Sequence, residues 1–222
     1  MRSIFLALPL LMLAATPALA QEQDGELWLT TGASLSLGEH TSLDGEVLAR
    51  FSDADGLYES EFGAVVTHAL SDSVTIAAGF YRVPGYEQGN RTHIDNRPRQ
   101  QITVKLGTFL GGSWQLRGRS EQRFRTDGDD VGFRVRPQIR YALPLGGDTE
   151  FRLSHESYFN LNDTDWGQKG GHERMRNFAS LATPLTDTLE LEAGYLNQYR
   201  FGQGGDTDTV DHVLSVAVSI DL

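Results

Sequence analysis

The chain has 222 residues, no cysteine, and a formal net charge of −11 from 19 lysines and arginines against 30 aspartates and glutamates. Disulfides and thiolate metal sites are excluded, and so acidic a chain is a poor partner for nucleic acid, whose phosphates repel it. The length suits one domain.

Residues 1–20 read as a cleaved signal peptide. Arg2 supplies the positive start, Ile4 to Leu13 an apolar core too short to span as a mature helix, and Ala18-Leu19-Ala20 the small-x-small cleavage pattern. Gln21 follows the cut where a lipoprotein would carry cysteine, so residues 21–222 are expected as a single exported domain. Beyond Gln21 no apolar run approaches the ~20 residues of a membrane helix.

From there on, apolar and polar side chains alternate with a period of two, the signature of strands with two unlike faces. Leu27, Leu29, Ala33, Leu35 and Leu37 oppose Glu26, Trp28, Thr30, Ser34 and Ser36. Leu43, Val47, Ala49 and Phe51 oppose Asp44, Glu46 and Arg50, with Leu48 out of phase. Phe62, Ala64 and Val66 follow, then Ile76, Ala78 and Phe80, then Ile102, Val104 and Leu106. The clearest pair runs from Trp114 to Leu143. Leu116 and Phe124 face away from Gln115, Arg117, Arg119, Glu121, Arg123 and Arg125; Val131, Phe133, Val135, Ile139 and Tyr141 face away from Arg134, Arg136, Gln138 and Arg140. Phe151, Leu153, Phe159 and Leu161 then oppose Glu150, Arg152, Glu156, Tyr158 and Asn160. Arg174 to Thr183 is a strand of unassigned phase, Leu189 to Arg200 sets Glu190 and Glu192 against Leu189, Leu191, Ala193 and Tyr195, and Leu214 to Leu222 alternates to the last residue.

About eleven segments result, each near the ~10 residues of a tilted membrane strand. Their connections alternate in kind. Short turns fall at Gly38-Glu39-His40, Ser71-Asp72-Ser73, Gly111-Gly112, Leu145-Gly146-Gly147 and Thr186-Asp187, and longer polar links at 52–57, 84–98, 127–130, 162–173 and 202–208. Arginines beside phenylalanine on one strand need a wet or paired side, because lipid offers an unpaired charge no partner. A closed barrel supplies that inside and satisfies every backbone group. The expected fold is therefore all-β: an antiparallel up-and-down transmembrane β-barrel of about 10–12 strands in the bacterial outer membrane. Even strand numbers are the bacterial norm, so ten or twelve is favoured over a parallel closure of eleven.

Asp24-Gly25-Glu26-Leu27-Trp28 after the cleavage site, the arginine-bearing strand ends, and Glu192-Ala193-Gly194-Tyr195-Leu196-Asn197-Gln198-Tyr199 resemble the domain of unknown function 2490. The resemblance implies a bacterial outer-membrane β-barrel and carries no functional residues. The alternating C-terminal segment also resembles the signal read by the outer-membrane assembly machinery, with Leu222 where an aromatic residue is more usual. Expected partners are thus that machinery during biogenesis, and outer-membrane lipid and lipopolysaccharide afterwards.

The first candidate site is the lumen. Arg117, Arg119, Arg123, Arg125, Arg134, Arg136 and Arg140 are expected to project inward, with Glu121, Glu156, Glu190 and Glu192 among the opposing carboxylates. Paired, they fill a narrow barrel as a polar core; unpaired, they line a narrow anion-favouring pore. The filled core is favoured, because arginines leave a barrel of this size little room.

His155 and Ser157 are the second candidate, on the same outward face as Phe151, Leu153 and Phe159. An imidazole beside a hydroxyl generates a nucleophile, and the pair resembles outer-membrane phospholipase A and the lipid A deacylase. Those enzymes carry Asn directly after the Ser, whereas here Tyr158 and Phe159 precede Asn160, and no third member to orient the imidazole is identifiable; Glu156 points to the other face and Glu173 is distant. The alternative is a histidine at headgroup level.

The loop aspartates Asp53, Asp55, Asp127, Asp129, Asp130, Asp163, Asp165, Asp206 and Asp208 match no EF-hand spacing, and solvated turns use Asp for conformational reasons. No metal or cofactor site is expected. Trp28, Tyr81, Trp114, Tyr141, Tyr158, Trp166, Tyr195 and Tyr199 read as interfacial girdles. The expected function is thus a non-enzymatic outer-membrane barrel, structural or narrowly conducting. The alternatives are a lipid hydrolase using His155 and Ser157, and a soluble periplasmic β-sandwich.

Overall fold

The computed structural model describes residues 22–222, so the expected signal peptide lies outside the described residues. Among the described residues, eleven strands follow one another without a helix: β1 (Glu22–Gly38), β2 (Thr41–Ser52), β3 (Gly56–Ala69), β4 (Val74–Glu87), β5 (Asn90–Phe109), β6 (Gly112–Arg125), β7 (Val131–Gly146), β8 (Thr149–Asn160), β9 (Gly171–Pro184), β10 (Leu189–Arg200) and β11 (Thr209–Asp221). Each pairs antiparallel with the next, and β1 closes the barrel on β11.

That closure is parallel, running from Glu22↔Thr209 to Ser34↔Asp221. The preference for ten or twelve strands is therefore corrected. β1 is a full wall strand, bonded to β2 along most of its length as well as to β11. With ten reversals between them, β1 and β11 run the same way and can meet only in parallel. A parallel ladder is slightly weaker per residue, and an apolar cluster backs this one from inside. Trp28 (β1), Leu48 (β2), Leu196 (β10) and Val213 (β11) pack together with Phe178 of β9 beside them. This is why Leu48 breaks the alternation of β2: its strand needs one apolar side chain inside.

The link expected over 84–98 is also corrected. Those residues extend β4 and β5, which reverse at Gln88–Gly89 with both residues at positive φ, the geometry of a two-residue hairpin. Pro84 and Pro98 argued against strand, but Asp95, Arg97 and Arg99 alternate inward there and interior ion pairs hold them. The link expected over 52–57 is likewise shorter than expected, a reversal of residues 53–55, no longer than the turns at the opposite end, whereas 126–130, 161–170 and 201–208 are the longer loops expected.

Burial is inverted relative to a globular protein. Glu121 is 1 % exposed and Asp95 0 %, whereas Val47 is 58 % and Leu214 57 % exposed. Charge sits inside the barrel and apolar surface outside.

Candidate functional site

Inside, guanidinium groups and carboxylates form a continuous mesh through the middle of the barrel, with separate ion pairs toward its two ends. Arg99 of β5 joins Glu61 of β3 at 2.6 Å to Glu121 of β6 at 2.9 Å. Arg136 of β7 carries the chain onward, from Glu121 at 2.7 Å to Glu156 of β8 at 3.0 Å and the Tyr158 hydroxyl at 2.7 Å. Arg117 reaches the same Glu156 at 2.5 Å, across the intervening strand β7. Nearer the loop end Arg97 and Arg123 share Asp95, and Arg134 holds Glu173 at 2.6 Å. Arg119 donates to the Gln101 amide oxygen at 2.9 and 3.0 Å. At the turn end Arg152 gathers Glu150, Glu190 and Glu192, and Arg140 lies 3.8 Å from Glu192. Arg125, at the loop-end mouth, pairs with Asp127.

Aromatic rings pack against the arginines of this mesh. Arg136 and Arg176 lie over Tyr158 at 4.3 and 4.8 Å, and Arg50 and Arg176 lie over Trp28 at 4.4 and 4.5 Å. Ring faces attract cations, the more so when both are out of water. Trp28, Tyr81 and Tyr158 are thus interior residues, correcting their assignment to a girdle. Trp114 and Tyr141 do face outward at the turn end, where Trp114 stacks on Phe109 at 4.9 Å. Trp166 belongs to neither set, since it lies on the β8–β9 loop over Arg123 and Arg125. The void at the middle of the barrel, among Arg50, Glu61, Arg97, Arg136 and Tyr158, measures about 60 Å³, and cavities of about 200 and 560 Å³ open nearer the loop-end mouth.

Several of the loop aspartates act as conformational acceptors, among them Asp130, Asp163, Asp165 and Asp208. Asp165 takes the backbone N–H groups of Asp129 and Asp130 at 2.9 and 3.2 Å, tying the β8–β9 loop to the β6–β7 loop, and Trp166 Nε1 donates to the Asp130 carbonyl at 2.8 Å. Those two amides hold the Asp165 carboxyl below the ordinary aspartate range. Gly128 and Gly132 keep room for this loop, since a Cβ on either would meet Trp166 at 2.7 Å. No group of three or more histidine, cysteine or carboxylate residues placed to hold a metal is found among the described residues.

On the outer wall, His155 and Ser157 of β8 meet a third residue. Asn177 of β9 stands directly opposite His155 in the ladder. Its Oδ1 lies 2.8 Å from His155 Nδ1, and His155 Nε2 lies 3.2 Å from Ser157 Oγ. The amide oxygen can only accept, so Nδ1 faces it as the donor, and in the neutral imidazole Nε2 is then the acceptor for the serine hydroxyl. That is the proton order a general base requires. Sequence reasoning missed Asn177 because the phase of β9 was open. A ten-residue loop and a bulge at Tyr158/Phe159 separate the strands, so their register cannot be counted along the chain.

A second polar patch on the outer wall provides a contrast. Gln100 and Gln122 bond each other through both amides at 3.0 and 3.1 Å, and Ser120 donates to Gln100 at 2.9 Å. That patch satisfies itself and contains no base.

Residues 25–209 match the model of a family described as protein of unknown function (DUF2490). The chain belongs to that family. It is also similar to an uncharacterized protein of Methylorubrum extorquens, 34 % identical over 219 residues and covering 95 % of each chain.

Proposed function

We infer that this DUF2490 chain is an outer-membrane β-barrel whose interior is a solid polar core, so that its work is done on its outer wall and loop rim. The observation that carries this reading is the inverted burial: apolar side chains such as Val47, Phe80 and Leu214 cover the wall while Glu121, Asp95 and Arg99 are shut inside. Contiguous exposed apolar surface on this scale marks contact with lipid or a partner. A closed barrel satisfies its own backbone in lipid, which favours lipid over a soluble sandwich. The mesh from Glu61 through Arg99, Glu121 and Arg136 to Glu156 favours a filled lumen over an anion path, because six of the seven arginines that would select an anion already have a carboxylate and the seventh, Arg119, is held by Gln101.

Heat-dependent gel mobility and bilayer recording test both halves. The unboiled protein is expected in the membrane fraction and to migrate apart from the boiled protein. Planar bilayers containing it are expected to show no conductance steps. Identical migration with recovery in the soluble fraction would sink the membrane placement, and steady anion-selective steps would sink the filled lumen.

A further inference from the structure

The geometry points to Ser157, His155 and Asn177 as a nucleophile, general base and orienting residue that hydrolyse fatty-acyl esters of lipid at the outer wall. This rests on the membrane placement above, since the substrate would approach the wall sideways from lipid. The arrangement is linear and has a direction: Asn177 Oδ1 fixes the proton on Nδ1, and Nε2 faces the serine hydroxyl. The amide patch at Gln100 and Gln122 shows what polar groups on this wall do when they only satisfy one another.

Beside the row lies an apolar groove of about 460 Å³, bordered by His155 and Asn177 and walled by Trp114, Ile139, Tyr141, Leu153 and Tyr195. It suits an acyl chain lying along the wall with its ester at the histidine. Ser157 itself is 9 % exposed and stands opposite Pro137. The β7–β8 ladder is interrupted there, between the pairs Val135↔Phe159 and Gln138↔Glu156. Proline brings no N–H to that stretch, so β8 is less tied to β7 beside the nucleophile and can yield to an incoming ester.

In the first step His155 Nε2 takes the Ser157 proton while Oγ bonds to the acyl carbon. The ester C–O bond then breaks, and the departing alcohol oxygen receives that proton. Water next attacks the acyl-serine, passing a proton to Nε2, and the Ser157 oxygen leaves with it as the free fatty acid departs. Water is the only co-reactant.

The test uses the folded full-length protein in detergent micelles with an alkyl fluorophosphonate, which bonds an activated serine whatever its natural ester. Peptide mass spectrometry is expected to find the label on Ser157, about 10²-fold slower in His155→Ala, slowed by a smaller factor in Asn177→Ala, and absent in Ser157→Ala. Fatty-acid release from phosphatidylethanolamine vesicles and from lipid A then distinguishes the two ester sources. Release from either one that disappears in Ser157→Ala supports the assignment, and release from neither overturns it. Heat-dependent mobility of each variant confirms that it is folded. A label-free Ser157 in a membrane-borne, heat-modifiable barrel would sink the site and leave the membrane placement standing. A labelled Ser157 in a soluble protein would do the reverse.

Discussion

The interior mesh and the outer Asn–His–Ser row are both polar, yet they are built on opposite plans. Inside, the central groups have several partners each: Glu121 touches Arg99, Arg134 and Arg136, and Arg136 touches two carboxylates and a phenol. Outside, three neutral groups stand in single file, each with one assigned neighbour on either side at most. Redundant charged contacts lock a structure, because losing one partner strands several others. A single file of neutral groups contributes little to stability and fixes the position of one proton. The difference teaches that polarity alone does not mark a functional site; the direction of the hydrogen bonds does.

Breaking the interior should therefore cost most. Glu121→Ala leaves Arg99 and Arg136 short of a partner, and removal of one side of a buried pair costs about 3–5 kcal/mol, to be read from urea unfolding in detergent. Trp28→Ala should cost about as much, roughly 3–5 kcal/mol, since it empties the cluster behind the β1/β11 seam and removes the ring beneath Arg50 and Arg176. On the outer wall, Asn177→Ala should cost only about 0.5–1.5 kcal/mol in the same measurement while slowing fluorophosphonate labelling. A stability loss as large as that of Glu121→Ala would erase the distinction between the two regions.

The smallest effect belongs to the loops. Because the Asp165 carboxyl is held below its ordinary range by the amides of Asp129 and Asp130, the tie between the two loops is complete above the ordinary aspartate value of about 3.9. It is lost as pH falls through the lowered value. Trp166 fluorescence should report that opening in acid, and Asp165→Asn should abolish the step. A Trp166 signal that changes near neutrality instead would assign the tie to another group.

Much of this was legible from alternation. The faces of β6 and β7 follow directly from Arg117 to Arg125 and from Val131 to Leu143, because period two is a local property of an extended chain. The misread positions each depend on something non-local. Pro84 and Pro98 looked like loop until Asp95 and Arg97 found interior partners. Leu48 looked like an error until the seam brought Trp28, Leu196 and Val213 behind it. Asn177 was invisible because cross-strand partners are set by loop length and a bulge. Strand parity was misjudged by preferring a common pattern to the full alternation of β1.

The seam also sets the order of assembly. It joins residues at opposite ends of the sequence, such as Gly25 and His212, so its loop-closure cost is the largest in the molecule. Each of the ten antiparallel pairs unites neighbours along the chain and can zip as soon as its turn forms. Sealing must wait for all of them. Until then β1 and β11 present bare backbone edges, and a nascent barrel is open along that one line.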